Sequence, residues 1–167
     1  MPPRPREKPE YLTTQVPLAD QVGELATLRA EGKIRHIGLC AVEVDQIEQA
    51  RKLVEVASVQ NIYNLTRQRH RDVMEYCTRE SIPFMPFFPL QAGALAETDG
   101  VLEQTAAAHG VAPSQIALAW LLHLSPMTLP IPGTSKVAHL EENLAAAQIE
   151  LTDAEVTKLS SEWSDEP

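Results

Sequence analysis

The sequence predicts an α/β fold built around a parallel sheet. Two observations carry this. From residue 17 onward, short β-branched or apolar runs alternate with segments of helical periodicity. The boundaries carry helix start and stop chemistry: Gly32 and Gly110 close helical runs, Pro113 suits a first helical position, and Thr152-Asp153-Ala154-Glu155 forms a capping box. Alternating strands and helices imply parallel strands joined by right-handed crossovers.

The elements follow in order. Pro17 and Asp20 precede a helix carrying Val22, Leu25 and Leu28, and Ile34 to Cys40 is the first strand-like run. Val44, Ile47, Ala50 and Val54 recur at near-helical spacing, and Val56 to Ile62 is strand-like again. His70 to Glu80 reads as a helix burying Val73, Met74 and Cys77. Ile82 to Leu90 is the third apolar run. Pro83, Pro86 and Pro89 would demote it to an edge or bulged strand, but the flanking helices need a strand between them. Val101 to His109 and Pro113 to Leu124 are helices, the second apolar nearly all round and so expected to be buried on most sides. Met127 to Ile131 is the fourth strand, and helices follow from about Val137 to Ala147 and after Thr152. Four parallel strands can make a small open sheet or half of an eight-stranded barrel.

Composition narrows the function. The length of 167 residues suits one domain, and 44% hydrophobic content can bury a core in which aliphatic residues dominate, aromatics being 5%. The formal charge of −9, with no basic stripe, argues against nucleic acid or anionic membranes as partners. No run reaches the roughly 20 apolar residues of a membrane span. Cys40 and Cys77 form no C-x-x-C, which suits a reducing cytoplasm. Residues 1 to 10 hold four prolines and several charges without the apolar core of a signal peptide, so residues 1–15 read as a disordered or poorly docked tail.

The chemistry concentrates near Ile131-Pro132-Gly133-Thr134-Ser135 and His139-Leu140-Glu141-Glu142-Asn143. An apolar run stops at a Pro-Gly turn, then a hydroxyl pair and a helix start follow. Free backbone N–H groups at a helix N-terminus favour an anion. Pro-Gly turns before helices are common, so this pattern gains weight only from its neighbours. Those are Gly32-Lys33-Ile34-Arg35-His36-Ile37-Gly38-Leu39-Cys40, Ser58-Val59-Gln60-Asn61-Ile62-Tyr63-Asn64, Phe87-Phe88-Pro89-Leu90 with Gly93, and Ser114-Gln115-Ile116-Ala117-Leu118-Ala119-Trp120-Leu121-Leu122.

Together, and in this order, the five segments resemble the aldo-keto reductases, from about Val16 to Leu159. The resemblance covers half of that family's (β/α)8 TIM barrel, which typically needs roughly 250 residues. It implies that residues 16–167 are the last four βα units, preceded by the helix of the fourth. The family's catalytic Asp, Tyr, Lys and His lie on the first four units, and no position here matches them. Glu10 to Gln15 stands where the histidine-bearing fourth strand should end and does not look like it. The resemblance implies NADPH-dependent reduction of aldehyde or ketone carbonyls, with NADH not excluded. It also implies that this chain alone is inactive, since an unperturbed phenol near pKa 10 is a poor acid at neutral pH.

The cofactor side is what the resemblance assigns. Cys40 matches a Ser and Gln60 a Gln that hold the nicotinamide carboxamide, with Ala41 in place of the usual Asn. Phe87 matches the aromatic that stacks on the nicotinamide, where Tyr is common. Phe88, Leu90 and Gly93 match the loop beside the pyrophosphate. Gly133, Thr134, Ser135 and Lys136 match the loop for the adenosine phosphates, and Glu142 and Asn143 the adenine contacts. His139 stands where NADP-selecting members often have Arg; Lys136 offers a point charge without Arg's bidentate fork.

Each residue also has a plainer reading. Gln60 could satisfy a buried backbone group, Phe87 and Phe88 could fill the core, and Cys40 reads as a buried small residue. His36 reads as a satisfied core group and His109 as a helix C-terminal partner. His70, His123 and His139 show no metal-ligand spacing. Tyr63 has no Lys or His placed to make it catalytic. A half barrel would expose strand edges and an apolar inner face, implying an enzyme fragment, a self-associating dinucleotide-binding module, or a chain completed by a half-barrel partner.

Overall fold

A computed structural model describes residues 16–90 and 100–162. The expectations for residues 1–15, Glu10 to Gln15 among them, and for Gly93 lie outside these described residues.

The first helix, α1 (Leu18–Ala30), ends at Gly32, whose φ of +74° is a backbone that only glycine adopts cheaply. Lys33 N–H reaches back to Leu28 O at 3.0 Å and closes the cap. Strand β1 (Ile37–Cys40) follows, then α2 (Val44–Arg51) and β2 (Val56–Gln60). β1 and β2 pair in parallel, Ile37 opposite Val56 and Cys40 opposite Gln60. Helix α3 (Arg71–Arg79) buries Val73, Met74, Tyr76 and Cys77. Burial pushes the Cys77 thiol up to about 11.

The third and fourth runs do not form extended strands. They survive as parallel bridges, Val59 with Phe84 and Phe84 with Thr128, in the order β1, β2, Phe84, Thr128. The prolines explain the shortening. Pro83 O accepts from Val59 N–H, and Met85 N–H donates to Val59 O, so odd-numbered residues face β2. Phe84 faces the fourth run, accepting from Leu129 and donating to Met127. Pro86, next on that side, has no N–H to continue the ladder.

The remaining helices cover one face. α4 (Val101–His109) ends at Gly110, φ +67°, and α5 (Pro113–Leu124) runs through the core with Gln115 to Leu121 all buried. Ser125 turns the chain into the fourth run: its hydroxyl accepts from Met127 N–H at 3.0 Å and pairs with Thr78 Oγ1 at 2.7 Å. α6 (Val137–Ala145) continues as a 3-10 turn, Ala146–Gln148, and α7 (Asp153–Glu162) opens on the expected capping box. There Thr152 N–H donates to Glu155 Oε2 at 2.8 Å, and Glu155 N–H to Thr152 Oγ1 at 3.3 Å.

The core lies between the sheet and these helices, around Trp120, Tyr63, Phe84, Ile47, Leu65 and Leu102. The other face of β1 is open. Cys40 is therefore exposed rather than buried, and so is His36, which precedes the strand instead of sitting within it. The run from Ile34 to Cys40 was read as apolar without regard to side, whereas the strand alternates, burying Ile37 and Leu39 and exposing Gly38 and Cys40.

Candidate functional site

A cleft of about 740 Å³ opens where the third and fourth runs end. That volume lies in the range of small-molecule and cofactor sites, roughly 300–1,000 Å³. One wall is Phe87, Phe88, Pro89 and Leu90. The other is Ile131, Pro132, Gly133 and Thr134, continued by His139, Glu142 and Asn143 of α6 and by Ser114 at the start of α5.

The aromatic wall is held in an unusual backbone. Phe88 has φ +52°, a left-handed conformation that costs an L-residue about 1–2 kcal/mol. The residue is 57% exposed, and its ring meets Phe87 edge-on, centroids 5.7 Å apart. Asn64, fully buried, donates from Nδ2 to Phe88 O at 2.8 Å. Asn64 Oδ1 accepts from Thr66 N–H and Thr66 Oγ1 at 3.0 and 3.1 Å, so both ends of the amide are used. Three residues earlier, Asn61 clamps the loop after β1: Oδ1 accepts from Val42 N–H at 3.0 Å, and Nδ2 donates to Val42 O at 2.7 Å. Asn61 O also accepts from Phe87 N–H.

The opposite wall is tied down by Gln115 and Thr134. Gln115 Oε1 accepts from Ala112 N–H at 3.1 Å, and its Nε2 donates to Glu142 O at 3.0 Å, joining the start of α5 to the middle of α6. Thr134 Oγ1 accepts from Lys136 N–H at 3.1 Å, which fixes the entry to α6. The first N–H groups of α6 have no acceptor within their own helix and leave positive charge at this end.

Seven of the residues singled out from the sequence therefore share one cleft: Phe87, Phe88, Leu90, Gly133, Thr134, Glu142 and Asn143, with His139 beside them. Ser135 and Lys136 are exposed and do not line it. Cys40 and Gln60 also stand outside its lining. They face each other across the ends of β1 and β2, where Ala41 N–H donates to Gln60 O at 2.9 Å. Ala41 is left-handed too, φ +56°, a backbone that Asn tolerates better than Ala. Gly93 lies outside the described residues.

Sequence reasoning missed Asn61, Asn64, Gln115 and Ser114 as site builders. The signal was present for the asparagines: two amides three residues apart inside the apolar run from Val59 to Leu65 must be buried and therefore bonded. Tyr63 is not a site residue. It is fully buried against Trp120 and Phe84, its hydroxyl has no hydrogen-bond partner among the described residues, and burial pushes the phenol up to about 12. Among the described residues no three His, Cys, Asp or Glu converge as a metal site, and no helix is long and apolar enough to cross a membrane.

The sequence profile of the aldo/keto reductase family matches residues 9–163. An uncharacterised oxidoreductase of Schizosaccharomyces pombe is 46% identical over 152 residues, which is 91% of this chain and 50% of that protein. Pyridoxine 4-dehydrogenase of Escherichia coli is 41% identical over 135 residues, 81% of this chain and 47% of that protein. The chain thus spans about half the length of the curated relatives it matches. Among solved structures, an aldo/keto reductase from Klebsiella pneumoniae in complex with NADP and acetate superposes with a TM-score of 0.79 at 27% identity, covering 90% of this chain and 56% of that one. The α/β fold is part of an aldo-keto reductase TIM barrel.

Proposed function

The chain belongs to the aldo/keto reductase family, and from that premise we propose that its cleft holds the nicotinamide dinucleotide of an NADPH-dependent carbonyl reductase. One observation carries the reading: residues far apart in sequence, Phe87 and Phe88 on one side and Gly133, Thr134, Glu142 and Asn143 on the other, line a single cleft of about 740 Å³. The fit is chemical as well as spatial. Aromatic and apolar groups on one wall suit a nicotinamide ring, while the Gly133–Lys136 turn and the N-terminus of α6 suit phosphates. Glu142 and Asn143 suit an adenine edge. Cys40 and Gln60 are proposed for the carboxamide, and Gly93 for the pyrophosphate loop. Bound there, the cofactor would supply a hydride to an aldehyde or ketone carbon. Lys136, exposed and outside the lining of the cleft, is proposed as the point charge that favours NADPH over NADH, with His139 in place of an Arg.

The same reading holds that these 167 residues do not turn over a carbonyl alone. Tyr63 is fully buried against Trp120 and Phe84, with its phenol pushed up to about 12, and so is not placed to give a carbonyl oxygen its proton. A reducing, cytoplasmic setting agrees with the unpaired Cys40 and Cys77. The test is thermal unfolding with and without millimolar NADPH. At a hundredfold excess over Kd the folded state gains about 2.7 kcal/mol. An unshifted transition would sink the cofactor reading. Aldehyde turnover abolished by Tyr63→Phe would sink the claim of inactivity.

A second reading concerns association. Val137, Leu140 and Leu144 fall at helical spacing on α6 and are 72%, 50% and 67% exposed, with Leu129 beside the sheet at 56%. Large exposed apolar patches of this kind mark contact surfaces. We propose that further βα units seat there, from a second copy or a complementing half barrel. A monomeric mass in solution across micromolar concentrations would count against the second copy.

A further inference from the structure

Resting on the cofactor reading above, we propose that Asn64 is a positioning residue: it sets the aromatic wall of the cleft by holding Phe88 in its left-handed backbone. Three observations combine. Phe88 is neither glycine nor asparagine, yet it has φ +52° at the edge of the cleft. Its carbonyl accepts from a buried Asn64 amide at 2.8 Å. The same amide is anchored from behind by Thr66 N–H and Oγ1, so it cannot rotate away without losing all three bonds. A buried amide satisfied at both ends is a rigid strut. Without it, Phe88 relaxes to a negative φ, and the Phe87 and Phe88 rings leave the wall. Asn64 is not itself among the lining residues of the cleft; it meets the lining at the Phe88 carbonyl and acts through Phe88.

The chemistry requires an amide. A carboxylate at this position keeps the acceptor for Thr66 but sets an oxygen against the Phe88 carbonyl. Asn64→Asp in the full chain is therefore the informative variant. Thr66→Ala is its control, because it removes a bond to the same side chain and leaves the Phe88 contact in place. NADPH is the probe, titrated by its fluorescence, and hydrogen exchange at the Phe87 amide, which is bonded to Asn61 O, is the second readout. Asn64→Asp is expected to weaken NADPH at least tenfold and to raise exchange at this amide at least tenfold. Thr66→Ala is expected to keep Kd within twofold.

Equal effects of the two variants on NADPH would overturn the proposal and leave Asn64 as scaffold. If the unaltered chain takes up no NADPH, the cofactor reading itself falls. The strut is then judged by exchange, where an unchanged Phe87 amide overturns it and a local rise supports it. If Asn64→Asp does not fold, the Phe88→Gly background decides. Glycine takes the left-handed backbone without a strut, so Asn64→Asp should be tolerated there. Continued misfolding in that background would overturn the proposal.

Discussion

The rings of Tyr63 and Trp120 lie nearly parallel, tilted by 5° with centroids 5.9 Å apart, and so join the segment after β2 to the middle of α5. Trp120 continues the link by donating from Nε1 to Ser160 Oγ at 2.9 Å, which brings α7 onto the same column. Phe84 packs edge-on against the other side of Tyr63 at 6.0 Å. The Tyr63 ring packs against both neighbours, while its hydroxyl has no hydrogen-bond partner among the described residues.

Tyr63→Phe should therefore be neutral or stabilising. A buried hydroxyl without a partner costs about 1–3 kcal/mol, and removing it keeps both ring contacts. The expected gain of up to about 1 kcal/mol corresponds to about 2–4 °C in a thermal melt for a domain of this size. A drop of several degrees would show that the hydroxyl has a partner.

Ala41→Gly should also stabilise. The left-handed backbone at φ +56° costs alanine about 1–2 kcal/mol, while the extra unfolded-state freedom of glycine takes back about 0.4–1 kcal/mol. The first effect exceeds the second, leaving about 0.5–1 kcal/mol. Ala41→Val should lose more than Ala41→Gly gains. Urea unfolding midpoints at constant slope would test the pair.

Glu155 makes stability depend on acid. The Thr152 N–H, then the Thr152 hydroxyl and His109, lower its carboxyl from 4.5 to about 2. The folded value lies below the unfolded one, so the contribution is fully present above about 4.5 and is lost as pH falls toward about 2. Glu155→Gln should flatten the melting temperature against pH in that window.

Legibility followed how local the physics was. The Thr152–Glu155 box, the Gly32 and Gly110 stops and the buried run of α5 depend on a few adjacent residues and were read correctly. The third run was read as a strand although three prolines objected; it is paired, but only through bridges at Phe84 and Ile62–Phe87. Which face of β1 is covered depends on packing from elsewhere, so Cys40 and His36 were placed inside when they lie outside. The cleft residues were found through resemblance, whereas Asn61, Asn64 and Gln115 act by bonds to distant backbone that spacing does not encode.

His139→Arg should sharpen the choice of dinucleotide. A charged bidentate contact to a 2′-phosphate is worth about 1.5–3 kcal/mol, or roughly tenfold and more in affinity. NADPH should tighten by that factor while NADH stays within twofold, measured by parallel fluorescence titrations. Equal changes for both would place His139 away from the ribose.

The missing N–H of Pro86 has a mechanical meaning. The two walls of the cleft are carried by neighbouring runs, yet the Phe84 exchange with Met127 and Leu129 is the seam between them. Beyond that point nothing in the backbone ladder ties Phe87 and Phe88 to Ile131 and Pro132. The backbone seam between the walls ends at Phe84, and the cleft lies beyond it. A ligand spanning the walls would stand where the next rung of the ladder is missing.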